Sequence, residues 1–423
     1  MNPSIAAVAI VVPLLTAALL VTEDFHAYFG RPHKFLTPQY FFLGLCGVSL
    51  FWLGAYVAAK IGSGGARSSA RADEIFLLHG AHIITLSRII LMLALGSYAL
   101  YLSPLAANPD LLLDIFRGDP GADYVSMEMK EHVRIPGVTS LTQLGIVYVV
   151  LFLVRRLYLP KVTIPAIERL AFAALIGLAV IRSVVYSERL AAIELLLPAV
   201  VLLCRRPKLS GATLAVMPII GVLLLFSYFA TLEFLRSWQD HYKYIEADFI
   251  QFASTRLFGY YINALDTGAG FLDHMGGGIG PVVTLQWLWA FPINFGQSTL
   301  LATIGFDVFS YNDFLYYYAN GEFNNGSGLF APFLDFGIAG GAICWLGLGV
   351  ISGALFRSYL DGGLMGLLLY PSWYTSVVEI PRIFNFSNTR YFPALVVSII
   401  IILWLSLSRR PAASPSVRRS LGA

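Results

Sequence analysis

Long apolar runs alternate with shorter polar connections along this chain. A helix needs about 20 mostly apolar residues to cross the ~30 Å hydrocarbon core of a membrane. Ten stretches of the sequence are candidates for such helices: residues 3–21, 38–59, 83–103, 136–154, 168–186, 188–204, 211–232, 329–356, 363–378 and 391–408. The pattern predicts an all-α, polytopic integral membrane protein with about ten transmembrane helices.

The positions of lysine and arginine predict how these helices are oriented, because short cytoplasmic loops carry an excess of both. With the N-terminus inside, every second connection is basic, and the acidic segment 104–135 and the long connection 233–328 face outward. Both termini are then cytoplasmic. The Ser-, Pro- and Arg-rich tail, 409–423, is predicted to be disordered and to meet anionic lipid.

The connection between the seventh and eighth helices is far longer than a turn requires. Aromatic residues make up 21 of the 90 positions from 233 to 322, against 14% of the whole chain, and disordered segments are poor in aromatics. We therefore predict an ordered outward loop, 233–328, between helices 1 to 7 (1–232) and helices 8 to 10 (329–408). Its uncharged part, 282–305, is predicted to be interfacial or re-entrant, with a further crossing as the alternative.

Composition supports the membrane class and excludes others. The chain is 57% hydrophobic and 13% charged, with a mean hydropathy of +0.71. Its net charge of +3 is small and its basic residues are scattered, so we expect no nucleic-acid binding. The three cysteines, Cys46, Cys204 and Cys344, lie in apolar segments and indicate neither disulfides nor a metal site.

Arginines near the outward face are the sharpest candidates for chemistry. Arg182 and Arg189 lie seven residues apart around the turn between the fifth and sixth helices, and arginine suits bidentate binding of phosphate. Arg256 lies inside an apolar helical pattern with Tyr260 and Tyr261, which predicts an amphipathic helix at the outer interface. All three are candidates for substrate binding. The alternative is that these arginines snorkel, pair with neighbouring glutamates or anchor the helix to lipid.

Other polar groups could complete a site. The candidates for a general base are two loop histidines and two carboxylates: His241, His274, Asp266 and Asp335. Asn325 begins the segment that opens the eighth helix, whose N-terminus would attract an anion. Asp335 could instead pair with Arg382 or Arg390 of the last outward loop.

Three motifs resemble the bacterial O-antigen polymerases, the Wzy-type oligosaccharide repeat-unit polymerases. They are Ser187-Glu188-Arg189 before an apolar helix, the run from Arg256 to Ala264, and Asn325-Gly-Ser-Gly followed by Asp335-Phe-Gly-Ile-Ala-Gly-Gly. The resemblance implies that Arg189 and Arg256 bind phosphate. A loop histidine serves as base in the related O-antigen ligases, and no motif decides between His241 and His274.

The same resemblance implies the activity. It is a membrane glycosyltransferase that moves a growing glycan from undecaprenyl pyrophosphate to the sugar end of another lipid-linked unit, in lipopolysaccharide or exopolysaccharide synthesis. The implied location is the bacterial inner membrane. The partners are lipid-linked oligosaccharides and membrane lipid, with a chain-length regulator and a flippase as further candidates; no metal or other cofactor is expected.

Two other function classes compete with this expectation. The first is an O-antigen ligase-like or other polyprenyl-phosphate-dependent membrane glycosyltransferase. One kind of the latter carries acidic residues in its first outward loop, where Glu23 and Asp24 lie, and would need a divalent metal. A flippase for lipid-linked glycans would carry several charges in mid-membrane, whereas here the polar residues collect near the outward ends of the helices.

Overall fold

The computed structural model describes residues 1–423 apart from 32, 62–78, 118, 120, 134, 136, 138, 159–162, 206–210, 240–241, 247, 290–310, 320–322, 324 and 408–423. The described part is helical and contains no strand. Its α-helices are α1 (Pro3–Leu20), α2 (Glu23–Tyr28), α3 (Pro38–Ile61), α4 (Gly80–Tyr101), α5 (Ser103–Ala107), α6 (Asp110–Arg117), α7 (Ala122–Val133), α8 (Leu144–Tyr158), α9 (Ala166–Val185), α10 (Leu190–Leu203), α11 (Gly211–Glu233), α12 (Phe249–Met275), α13 (Gln286–Trp289), α14 (Tyr311–Tyr318), α15 (Ala331–Leu360), α16 (Leu364–Val378) and α17 (Phe392–Leu407).

Each of the ten apolar runs forms a helix, close to its predicted bounds. Within the described ranges, five helices are long and apolar enough to cross a membrane: Pro3–Leu20, Pro38–Ile61, Gly80–Tyr101, Thr139–Leu157 and Ala331–Leu360. Shorter apolar helices are Leu190–Leu203, Ile219–Glu233 and Phe392–Leu407. The all-helical class is confirmed, and the helices are those of a protein able to span a membrane.

Helices α3 and α15 form the closest pair in the bundle. A Cβ added at Gly349 or Gly353 would meet the backbone oxygen of Phe51 or Ala55, and one at Gly54 would meet the backbone of α15. Small residues let two helix backbones approach in this way, which is how helices pack within membranes. Farther toward its N-terminus, α15 bends at Gly337, whose φ of 68° departs from helical geometry.

The C-terminal half of helix α12 is enclosed by protein. Its residues from Ile262 to Leu272 are all buried. Glycines on different sides of the helix allow this enclosure: a Cβ at Gly268 would lie 2.7 Å from Ser327, and one at Gly270 would lie 2.8 Å from rings of both Phe35 and Phe314. The amphipathic pattern predicts one buried face, but the segment after α2 and the residues before α15 cover other sides of this half as well; a position at the outer interface stays a prediction.

The bundle has two chemically distinct ends. Arg205 follows α10 and donates to the Tyr359 carbonyl at 2.7 Å, near the end of α15, while the Tyr370 hydroxyl donates to the Met1 carbonyl at 2.6 Å. We call this the Met1 end. Helix α10 begins at the opposite end, next to Glu188 and Arg189, where α9 and α11 finish. We call that opposite end the arginine end.

Candidate substrate-binding site at the arginine end

Two of the predicted phosphate-binding residues meet on one carboxylate. Arg189 precedes α10, Arg256 lies in α12, and Glu233 is the last residue of α11. The Arg189 guanidinium pairs with Glu233 Oε1, and Arg256 Nε lies 2.8 Å from Glu233 Oε2. The Glu233 side chain is fully buried, and those of Arg256 and Arg189 are 3% and 11% exposed. Three helices are thereby tied together by one ionic cluster, which we call the Glu233 cluster.

Aromatic rings enclose both guanidiniums. The Arg189 guanidinium carbon lies 4.7 Å from the ring centroids of Phe229 and Tyr260. The Arg256 guanidinium carbon lies 5.3 Å from the Tyr242 and Phe323 rings and 5.5 Å from the Phe252 ring. Ring faces attract cations, more strongly where water is excluded. Tyr260, a predicted substrate-binding residue, therefore lies beside Arg189.

Arg189 has a donor that the Glu233 cluster does not use. Its Nη1 is buried without a hydrogen-bond partner. Arg189 also lines a small pocket whose other walls are Ile115, Ser183, Val184, Ser187, Leu232 and Leu235. The lining of this pocket is thus partly charged and partly apolar.

A second ionic cluster adjoins the first in sequence, at Glu188. Arg182 Nε lies 2.8 Å from Glu188 Oε2, Lys130 Nζ lies 3.1 Å from Oε1, and Arg390 Nη1 lies 3.4 Å from Oε2. Burial alone would raise the pKa of Glu188, but Arg390, Arg182 and Lys130 together hold it well below its ordinary value. Arg390 Nε also pairs with Glu194 at 3.1 Å. Arg182, Arg189 and Arg390 therefore share one end of the bundle.

Arg382 joins this end through the segment after α16. Its Nε lies 2.8 Å from Glu379 Oε2. Burial would lower the pKa of Arg382, but Glu379, Tyr261 and Tyr260 together outweigh burial and raise this pKa. Both tyrosines predicted to bind substrate are thus near an arginine. Neither Arg382 nor Arg390 pairs with Asp335, which was the sequence alternative.

Of the predicted general bases, the three that the structure describes do not lie at the Glu233 cluster. His241 lies outside the described residues. His274 is exposed and packs on the rings of Phe314 and Tyr318. It follows Arg256 by 18 residues of α12, which is about 27 Å along a helix axis. A residue that far away cannot contact the sugar–phosphate bond of a substrate whose phosphate is bound at Arg256.

Asp266 and Asp335 instead bind other parts of the chain. Asp266 is buried, pairs with Arg31 Nη2 at 3.1 Å and accepts from the Phe35 and Leu36 amides at 2.8 Å. Asp335 is buried and accepts from the amides of Val283 and Thr284 at 3.0 and 2.6 Å. Asn325, half-buried, lies in the segment before α15. These contacts give both carboxylates structural roles.

Several residues of this region were not singled out from the sequence. Glu233 ends an apolar helix, and the only signal for it was that buried arginines require a partner. Glu246 accepts from the Tyr28 hydroxyl at 2.9 Å. Burial and Glu246 raise the pKa of Tyr28, and nearby Arg256 opposes this rise. His26 is buried 4.0 Å from Asp266, and burial lowers its pKa, an effect that Asp266 opposes and Arg31 reinforces.

Comparisons with protein-family models, curated proteins and solved structures give no match to this chain. The motifs and the geometry above therefore carry the functional argument. Within the described residues, no group of three or more His, Cys, Asp or Glu side chains is placed to hold a metal ion.

Proposed function

We propose that the protein polymerises lipid-linked oligosaccharide repeat units, of O-antigen or exopolysaccharide. It transfers the growing glycan from undecaprenyl pyrophosphate to the sugar end of a second lipid-linked unit. In this proposal the chain crosses a bacterial inner membrane ten times, with both termini cytoplasmic. The arginine end and the loop between α11 and α15 then face outward.

The observation that carries the proposal is the convergence of Arg189 and Arg256 on Glu233. They are 67 residues apart in sequence, and each is held by rings as well as by the carboxylate. A diphosphate would find two guanidiniums and the buried Nη1 of Arg189, which has no hydrogen-bond partner. Donors positioned in a water-poor site stabilise developing negative charge without having to reorganise.

The arrangement suits a single displacement. An acceptor sugar hydroxyl attacks the anomeric carbon of the donor glycan, and the new C–O bond forms as the bond to the pyrophosphate oxygen breaks. The lipid pyrophosphate leaves with that bond's electron pair, and Arg189 and Arg256 stabilise its added charge. The hydroxyl proton passes to a carboxylate or histidine within hydrogen-bond reach.

Glu246 is the carboxylate that we assign to this proton transfer. It is half-buried, on the segment that leads into α12, and its hydrogen bond with Tyr28 places it at the arginine end. His274, Asp266 and Asp335 are engaged elsewhere. Glu246→Gln should therefore abolish chain growth, whereas His274→Gln should leave it intact.

The test is reconstitution of the purified protein with a lipid-pyrophosphate-linked oligosaccharide. The wild type should produce a ladder of longer glycans, and Arg189→Gln should abolish it. The matched control is Arg357→Gln, because Arg357 pairs one-to-one with Asp361 at the Met1 end, with both side chains about one-third exposed. Loss of the ladder in both variants, or in neither, would refute the assigned role of Arg189.

The same assay separates the alternatives. A ligase-like enzyme would add one glycan to a different acceptor and give no ladder. A metal-dependent glycosyltransferase would stop when a chelator is added and would depend on Glu23 and Asp24, which are exposed in the first turn of α2. A flippase would move the lipid-linked glycan across the bilayer without changing its length.

A further inference from the structure

A second cluster of two arginines on one glutamate lies at the Met1 end. Glu168, in the first turn of α9, is buried. Arg155 of α8 approaches it with Nη1 at 3.0 Å from Oε2, and Arg88 of α4 approaches with Nε at 2.7 Å from Oε1. The far end of α9 carries Arg182, so the whole bundle separates this cluster from the arginine end. The proposed polymerisation makes no use of it.

The cluster has a surplus of positive charge in a place where charge is costly. Two guanidiniums face one carboxylate, and the Arg155 side chain is 1% exposed with its Nε buried and without a hydrogen-bond partner. One arginine would be enough to neutralise Glu168. The charge of the second, Arg88, is left for water or a ligand outside these three residues to balance.

The position of Arg88 indicates what balances it. It is the ninth residue of α4, a helix long and apolar enough to span a membrane, which is about 12 Å along the helix axis. Its side chain is 55% exposed, and its exposed neighbours Ile89, Met92 and Leu93 are apolar. An arginine on such a face usually extends its guanidinium to the membrane–water interface. The guanidinium of Arg88 is instead held in place by its ion pair with buried Glu168.

We propose that the Arg88–Arg155–Glu168 cluster binds the phosphate of an anionic phospholipid on the outside of the bundle. The lipid phosphate would accept hydrogen bonds from the outer nitrogens of Arg88, and its acyl chains would cover Ile89, Met92 and Leu93. Exposed Arg156 and Arg169 lie at the same end and add attraction for an anionic headgroup. By the distribution of basic residues, the lipid belongs to the cytoplasmic leaflet.

The experiment uses the full chain, stripped of lipid in detergent, with phosphatidylglycerol or phosphatidylcholine added and retained lipid counted by native mass spectrometry. The wild type should retain phosphatidylglycerol preferentially. Arg88→Gln should weaken that retention about fivefold, as expected for one basic residue at an anionic surface. Arg357→Gln, which removes a partly exposed arginine that is paired with Asp361 at the same end, should not weaken it.

Three results would overturn the assignment. One is equal retention of the two lipids by the wild type, and another is equal weakening by Arg88→Gln and Arg357→Gln. The third is full displacement of phosphatidylglycerol by millimolar inorganic phosphate, which would make the cluster a site for soluble phosphate. If Arg88→Gln does not fold, the thermal stability of the wild type decides: phosphatidylglycerol must raise it more than phosphatidylcholine does.

Discussion

Replacing Glu233 by glutamine is the most direct probe of the Glu233 cluster. The change keeps the size of the side chain and removes its charge, so two guanidiniums that are 3% and 11% exposed lose their shared partner. Removing one member of a buried ion pair typically costs about 3–5 kcal/mol. We expect a loss in that range, because the Glu233 side chain is fully buried and bonds arginines of two separate segments.

The assay is a double-mutant cycle on the free energy of unfolding in detergent micelles. Arg256→Gln alone leaves Glu233 paired with Arg189, so it should cost less than Glu233→Gln. The double variant should be more stable than the sum of the single changes predicts, by at least about 1 kcal/mol, because contacting residues in one network are not additive.

The control for this cycle is the exposed pair between Arg357 and Asp361, whose side chains are 35% and 38% exposed. Asp361→Asn should cost no more than about 1 kcal/mol, since solvent screens such pairs. The arrangement in which both arginines share Glu233 would be refuted if the losses of unfolding free energy in Glu233→Gln and Arg256→Gln added to within about 0.5 kcal/mol. The reason for placing a diphosphate there would then also be lost.

Three further predictions test the surroundings of the site. Gly353→Ala should lower the free energy of unfolding by about 1–3 kcal/mol, because its Cβ would meet the Ala55 carbonyl, while Gly347→Ala, which has open space, should be nearly neutral. Burial lowers the pKa of His26 in the folded protein, so as the pH falls the unfolded chain binds a proton at this histidine before the folded chain does. The stability of the wild type should therefore decline as the pH falls through the ordinary pKa of about 6.5. His26→Gln should lose less stability than the wild type between pH 7 and pH 5, and equal losses would contradict this. Asp335→Ala removes the acceptor for the amides of Val283 and Thr284, so limited proteolysis should cut residues 276–284 faster. An unchanged cleavage map would show that these hydrogen bonds do not hold the segment in place.

Hydrophobicity was enough to predict the helices, because each apolar run must form its own backbone hydrogen bonds in lipid. The bounds of α1 and α17 fall within a few residues of prediction for that reason. Hydrophobicity does not predict which residues pack around a helix. The pattern of α12 predicted one apolar face, and it could not show that Phe29, Phe35 and Phe314 pack against glycines on its remaining sides.

The arginines were found because a cation in an apolar pattern needs an explanation. Their partners were not, since an ion pair joins residues that are distant in sequence. Glu233 lies 44 residues from Arg189 and 23 from Arg256, and no spacing rule connects them. The candidate bases were predicted from residue type alone. The contacts of Asp266 and Asp335 show why residue type is a poor guide, since a buried carboxylate can accept hydrogen bonds from backbone amides as readily as it can accept a proton.

Under the two proposals, burial separates a reaction site from a lipid site. Each cluster joins two arginines to one glutamate, and in each an arginine has a buried nitrogen without a hydrogen-bond partner. At Glu233, rings close over both guanidiniums, so a substrate phosphate would enter a place from which water is excluded. At Glu168, Arg88 lies open on an apolar face, where the phosphate of a lipid covering that face would need no pocket. The same arrangement of charged groups would thus suit a transient substrate in one place and a resident lipid in the other.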